Sequence, residues 1–311
     1  MHHLAVGIFH DENLGRELGK KGTESDILMF NRKTENTIFT FMCPVEDKIT
    51  PKSQIISSID AAILCYNEIT PAVGETILML DSQGISKGLI VVPPNIDTQP
   101  LLSMIKQTSL ESFDIVERHI PTVMEHLERM QPGRDTMSPA VVIVDHSFSV
   151  KGVGEVILGF VKQGAIHKHD TMLLLPYDKE VIVRSIQMQD NDYDEAKAGS
   201  RVGLAIKGAT TQEMKRGTLL CTPGGATINT QFTLTFCKNR FYPTVNKGLV
   251  HVTVGMQTVP ARITEINDGS VSLETEKPIA YTKQDTFLFL DLNAKKLHLM
   301  GHATLNTMPS C

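Results

Sequence analysis

Residues 141–220 read VVIVDHSFSVKGVGEVILGFVKQGAIHKHDTMLLLPYDKEVIVRSIQMQDNDYDEAKAGSRVGLAIKGATTQEMKRGTLL. Short β-branched runs alternate here with turn signals at Lys151-Gly152, Gln163-Gly164, 168–170, 190–194, Ala198-Gly199 and Lys207-Gly208. Strands this short, at such regular spacing, predict a closed antiparallel barrel over residues 138–222 rather than an open sheet.

Downstream, Thr222-Pro223-Gly224-Gly225 breaks the pattern, and β-compatible runs resume at 231–236, 249–254, 259–266, 269–274, 286–290 and 296–305. They predict a second small barrel over residues 226–311. Upstream, apolar runs at 4–9, 37–42, 61–66 and 88–92 show no alternation, which predicts strands buried on both faces of a parallel sheet. Helical patterns fall at 73–82, 101–109 and 111–130, the last interrupted by Pro121. The stretch 131–136, rich in turn residues, reads as a linker, so residues 1–133 form an α/β domain.

A chain of 311 residues can bury several cores. No apolar run is long enough for a membrane span, and Met1-His2-His3-Leu4-Ala5-Val6 lacks the basic flank and cleavage site of a secretory signal. Five scattered cysteines without a CxxC argue against a disulfide framework or a zinc site and fit reduced thiols in the cytoplasm. The net charge of −5 is uneven: residues 1–133 carry 11 Lys/Arg against 18 Asp/Glu, and residues 134–311 carry 19 against 17. Phosphate neutralisation therefore favours the barrels as an RNA-binding surface, and the absence of Trp weighs against reading single strands by stacking.

The barrel carries Phe148-Ser149-Val150, Gly152-Val153-Gly154, Gly159, Gly164, Asp170, Ala198-Gly199, Val202-Gly203-Leu204, Lys207-Gly208 and Arg216-Gly217. In these elements it resembles the second domain of translational GTPases of the elongation factor Tu class. Asp145-His146 and the arginine of Ala198-Gly199-Ser200-Arg201-Val202-Gly203-Leu204 are most similar to the selenocysteine-specific branch. Pro260-Ala261-Arg262-Ile263, Lys277-Pro278-Ile279-Ala280 and Gly301-His302-Ala303-Thr304-Leu305 resemble the third domain of the same factors. The resemblance implies a degenerate P-loop GTPase-like α/β domain followed by two antiparallel β-barrels of the translation-factor type. It also implies that the extra C-terminal domain of the full factors is missing.

The family's nucleotide motifs are eroded. The P-loop position reads His10-Asp11-Glu12-Asn13-Leu14-Gly15-Arg16-Glu17. Gly15 alone matches; His10 replaces the first glycine, Arg16 the lysine, and Glu17 the magnesium-ligating Ser/Thr. A phosphate cradle needs close approach of backbone amides and tolerates carboxylates poorly. Met42-Cys43-Pro44-Val45 stands for Asp-x-x-Gly, and Pro94-Asn95-Ile96-Asp97 keeps only Asp97 of the guanine-reading motif. No switch segment is evident between Glu24 and Ile38, and GTP with magnesium is disfavoured as a cofactor.

The resemblance also implies a pocket for the esterified amino acid. A selenol arrives largely as an anion, which an arginine fork and a histidine can hold and a carboxylate can orient. These roles fall on Arg201, His146 and Asp145, beside the bland alternative of strand-end and surface residues. Among basic residues of the last barrel, Lys238, Arg240 and Arg262 are candidates for tRNA phosphates. His167/His169 replace a hairpin turn and are expected to be exposed, His119/His126 lie seven residues apart and could share a helix face but show no third ligand, and His298/His302 leave metal binding open as a possibility; no metal site is expected. The expected function is binding of an aminoacyl-tRNA, selenocysteinyl-tRNA or a related one, without GTPase activity. The ribosome or another translation factor is a further partner, and neither membrane nor DNA is. Two alternatives stand beside it: a genuine GTP-binding factor with an atypical site, and a protein-interaction scaffold.

Overall fold

The computed structural model describes residues 2–305. The first domain is built on strands β1 (His2–Phe9), β2 (Lys20–Glu24), β3 (Ile27–Lys33), β4 (Thr37–Pro44), β5 (Ala61–Cys65), β6 (Gly88–Val92) and β7 (Asp114–Glu117). Helices α1 (Glu12–Leu18), α2 (Ile49–Ile56), α3 (Pro71–Ser82), α4 (Gln99–Ile105) and α5 (Ile120–Arg129) cover the sheet. The strand order is β2-β3-β4-β1-β5-β6-β7. Every residue of β4, β5 and β6 is buried, as unalternating runs in a two-sided sheet require.

The sheet is mixed rather than all parallel. β3 runs antiparallel to both β4 and β2, because the three residues 34–36 between β3 and β4 are too few for a crossover. The region without an evident switch segment is thus filled by β3 and the short turns on either side of it. A helical reading of 111–130 also fails at its start: 114–117 form the edge strand β7, and Pro121 lies in the first turn of α5. Proline has no amide proton to lose there, so it starts the helix instead of interrupting one.

The second domain contains β8 (Val141–Val150), β9 (Gly154–Gln163), β10 (Ala165–His167), β11 (Thr171–Leu175) and β12 (Lys179–Met188). It continues with β13 (Asn191–Tyr193), β14 (Glu195–Lys197), β15 (Arg201–Lys207) and β16 (Leu219–Cys221). The order β11-β16-β8-β9-β15-β12 is closed by β11–β12 pairing, giving a six-stranded barrel; β13 extends from β12. The expected turn at 190–194 is tighter than the sequence suggests, since Ile186 pairs with Tyr193 across it. Val142, Val144, Ile157, Val161, Leu174 and Leu204 fill the interior.

The third domain is a closed barrel of β17 (Thr227–Lys238), β18 (Gly248–Val254), β19 (Gln257–Asn267), β20 (Ser270–Tyr281), β21 (Thr286–Leu290) and β22 (Leu299–Thr304), ordered β17-β20-β19-β18-β21-β22. Each of the six runs read from sequence contributes one strand.

The three domains share one apolar core. Ile55, Ile56 and Val73 of the first domain, Ile143, Phe160 and Leu219 of the second, and Met256, Leu288 and Leu299 of the third belong to one buried cluster. Each such side chain stabilises the folded arrangement by about 1.5–3 kcal/mol relative to exposure. Polar contacts fix the register of this junction. Ser53 and Thr253 hydroxyls meet at 2.9 Å, Lys162 pairs with Asp285, Arg134 pairs with Asp60, and Glu75 accepts from the Leu299 amide at 3.0 Å.

Candidate functional site

A cavity of about 510 Å³ opens between the second domain and the β2–β3 hairpin of the first, lined by Thr23, Asn31, His146, Phe148, Gln187 and Arg201 among others. Its floor is set by an irregularity in β8. Val144 pairs with Gly159 and His146 with Leu158, so Asp145 is the extra residue of a β-bulge. Bulges redirect side chains; here Asp145 is buried (3% exposed) while His146 lines the cavity.

Arg201 begins β15 opposite Phe160. Its guanidinium lies 4.9 Å over the Phe160 ring, donates through Nη1 to Asp145 Oδ2, and donates through Nη2 to Thr23 Oγ1 at 3.2 Å. The guanidinium is thus held in one plane by a buried carboxylate, an aromatic face and a hydroxyl. Asp145 Oδ1 is buried and has no hydrogen-bond partner among the described residues. The His146 ring centroid is 6.1 Å from that of Phe148, in tilted contact. His146 and Arg201 therefore line one cavity with Asp145 directly beneath. Asp190 also borders the cavity and adds a carboxylate of charge opposite to Arg201.

Lys238, Arg240 and Arg262 do not form one patch. Gln231 of β17 and Arg262 of β19 both pair with Glu274 of β20. Lys238 lies seven residues farther along β17, about 20 Å away by strand rise. Lys238 Nζ donates to the Pro243 carbonyl at 3.0 Å, and Arg240 stacks 4.8 Å over Phe241. Arg262 borders a separate cavity of about 260 Å³ with Glu274 and Leu249.

At the nucleotide position, β1 ends at Phe9 and α1 begins at Glu12, so only His10 and Asp11 connect them. Asp11 caps the helix, accepting from the amides of Asn13 at 2.9 Å and Leu14 at 3.2 Å. Arg118 then bridges Asp11 and Glu17, at 3.2 and 2.8 Å. His10 Nε2 contacts the Thr76 hydroxyl at 2.9 Å, and Asp47 pairs with the buried Lys52 at 2.7 Å. Burial pushes the His10 imidazole below its ordinary pKa, against the opposing pull of Asp47. Arg16 is exposed on the last turn of α1, 5.9 Å over Phe30. Met42 is buried at the end of β4, and exposed Asp97 accepts from the Gln99 amide at 3.0 Å.

Gly15 serves packing. A Cβ there would stand 2.8 Å from both Cys43 Sγ and a Phe30 ring carbon. Gly15→Ala should therefore cost about 1–3 kcal/mol through overpacking, read as a lowered urea midpoint. A midpoint equal to the parent's would remove the packing role. Burial around the same contact pushes the Cys43 thiol up to about 12.

His167 and His298 lie beside carboxylates. His167 lies 3.6 Å from Asp170 and 3.4 Å from Glu195, and His298 contacts Glu75 at 3.0 Å. His119 precedes α5 as its N-cap while His126 lies within it, so the two do not share a helix face. Among the described residues no group of three or more His, Cys, Asp or Glu is arranged to hold a metal ion, and no helix is long and apolar enough to cross a membrane.

Thr23, Asn31, Phe160 and Arg118 are the contributors that sequence reasoning missed. The first two come from a hairpin with no motif, Phe160 is one apolar residue in a strand full of them, and Arg118 acts on residues about a hundred positions earlier.

Known proteins share the sequence and fold of this chain. The model of elongation factor Tu domain 2 matches residues 154–221. The chain is 39% identical over 306 residues to an uncharacterized protein of Methanocaldococcus jannaschii, covering 97% of this chain and 99% of that one. It is 33% identical over 153 residues to the selenocysteine-specific elongation factor of the same organism, covering 46% of this chain and 32% of that protein. Translation elongation factor SelB from Methanococcus maripaludis, solved with the GTP analogue GPPNHP, has the same fold (TM-score 0.84, 23% identity, 100% of this chain and 80% of that one). So does a bacterial selenocysteine-specific elongation factor (TM-score 0.84, 19% identity, 100% of this chain and 60% of that one). With its relative from M. jannaschii, the chain belongs to the selenocysteine-specific elongation factor-like proteins of the elongation factor Tu class.

Proposed function

We propose that this protein holds the aminoacyl end of a charged tRNA in the cavity beside Arg201, and does so without a GTP cycle. The observation that carries the reading is the convergence of Arg201 and His146 on one cavity, with Asp145 buried beneath the guanidinium. A selenolate, or another polar side chain on the ester, meets a guanidinium of fixed orientation and an imidazole able to donate. Selenocysteinyl-tRNA is the first candidate ligand, with the ribosome or another translation factor as the recipient.

The residues at the nucleotide position do not fit a magnesium-bound triphosphate, which supports a reading without a GTP cycle. Two amides of the first turn of α1, those of Asn13 and Leu14, are engaged by Asp11. Glu12 and Glu17 add two more carboxylates on the same short helix. Gly15 abuts Cys43 and Phe30 rather than open space. Anion binding at a helix N-terminus depends on free amides and a favourable field, and both are already committed.

Electrophoretic mobility shift with selenocysteinyl-, seryl- and deacylated tRNA tests the reading on the full chain. The charged form should bind at least tenfold tighter than the deacylated form. His146→Ala should reduce that preference about tenfold, a change of about 1.4 kcal/mol. Equal binding of charged and deacylated tRNA by the wild type would defeat the proposal.

A further inference from the structure

We infer that the β2–β3 hairpin is a permanent wall of the barrel cavity, and that Thr23 is the positioning residue through which this wall sets aminoacyl preference. This rests on the reading of the cavity as an aminoacyl site. It adds that the site is assembled before any ligand or nucleotide arrives.

The hairpin lies in the first domain, yet it meets the second at several points. β2 pairs with β3 through Lys20–Asn31 and Lys21–Phe30, and the register then shifts before Glu24 meets Leu28. Gly22 and Thr23 occupy that irregularity, and both line the cavity. The irregularity turns Thr23 toward Arg201, whose Nη2 donates to its hydroxyl oxygen. As an acceptor in that bond, the hydroxyl keeps its own proton for a ligand. Arg201 has Asp145 on one branch of its fork and Thr23 on the other. Without Thr23 the guanidinium keeps its counter-charge but is less constrained about that pairing. A ligand would then have to supply the orientation itself, and preorganisation is where much of the affinity for a charged ester would come from.

The wall has little freedom to move. β3 pairs with β4 along its whole length, from Ile27–Pro44 to Lys33–Ile38. Ile27, Leu28, Met29 and Phe30 are buried. Arg216 of the second domain donates to Asp26 at 2.6 Å and to the Ser25 hydroxyl at 2.7 Å, clamping the hairpin tip. Asn31, a further lining residue, accepts from Thr40 of the neighbouring strand at 3.3 Å. A nucleotide is poorly placed to reposition this segment, since Asp11 takes up the amides of Asn13 and Leu14 and Arg118 bridges Asp11 and Glu17. The cavity is therefore expected to take a short, polar or anionic side chain on an aminoacyl ester with the same preference whatever nucleotide is present.

The test measures the affinity ratio of selenocysteinyl-tRNA to the same tRNA deacylated, using full-length wild type, Thr23→Val and Thr23→Ser. Each is assayed alone and with GTP or GDP plus magnesium. Thr23→Val, isosteric but without the hydroxyl, should lower the ratio about tenfold, and Thr23→Ser should restore it to within about twofold of wild type. The wild-type ratio should be unchanged by either nucleotide. A wild-type preference that Thr23→Val leaves intact, or one that emerges only with GTP, would overturn the inference while leaving the aminoacyl site standing. A wild type without preference removes the aminoacyl site and this inference together. The nucleotide arm uses the unaltered protein, so it stands even where Thr23→Val fails to fold.

Discussion

Arg201→Ala should unfold the protein at markedly lower denaturant, with a loss of about 3–5 kcal/mol. The reason lies in its partner. Asp145 has a side chain only 1% exposed, and one of its oxygens already lacks a hydrogen-bond partner among the described residues. Removing the guanidinium leaves a buried carboxylate with no counter-charge, a larger penalty than the loss of the pair's own attraction. The Phe160 face and the Thr23 hydroxyl lose their contact at the same time. The double variant Asp145→Ala/Arg201→Ala removes both charges and should recover most of the stability, at the cost of a polar void. Urea unfolding followed by circular dichroism distinguishes the cases: equal losses in the single and double variants would mean the ion pair is not what Arg201 supports. Loss of RNA binding in Arg201→Ala alone therefore reports folding as much as recognition. His146, which is partly exposed and bound to no carboxylate among the described residues, gives the cleaner binding test.

Glu75→Ala should cost roughly 3–5 kcal/mol, by a different route. Glu75 sits in α3, 6% exposed, and reaches across to the third domain. Its Oε1 accepts from the amides of His298 and Leu299, and its Oε2 lies 3.0 Å from His298 Nδ1. Alanine leaves two amide donors at a buried interface without an acceptor, and each such orphan costs about 1–3 kcal/mol. Glu75→Gln keeps an acceptor oxygen and should lose less than about 1.5 kcal/mol. The contact joins domains, so Glu75→Ala should also separate one unfolding transition into two, the third domain melting first. A single transition within about 1 kcal/mol of the parent would show that the apolar core alone holds the junction.

The barrels were legible because their signal is local. Turn glycines with positive φ, such as Gly152 and Gly164, punctuate runs whose period follows directly from strand geometry. The six strands of the third domain were readable for the same reason. The first domain was harder. Its hairpin β2 reads KKGTE, with no apolar alternation and mostly exposed residues, so only pairing with β3 makes it a strand. β7 is four residues at an edge, overlapped by a helical pattern that belongs to α5. At the candidate site, Asp145, His146 and Arg201 were found through motif context, and the structure brings them together. Thr23 was not legible, because its part depends on a bulge and on contact between residues 178 positions apart. The basic residues of the last barrel show the reverse: alike in sequence, they are divided by the fold, Arg262 lying far along the barrel from Lys238 and Arg240.

The core shared by all three domains bears on how the chain is made. The α/β domain is synthesised first, and Ile55, Ile56, Ile59 and Val73 are among the apolar residues of that core. Until the second and third barrels emerge, the nascent domain exposes part of the surface they will cover. That is the situation in which partly made proteins aggregate or recruit chaperones. Cutting the chain at the linker would recreate that exposed face permanently, so a fragment holding the first domain alone is an aggregation hazard even though every strand of its sheet is present.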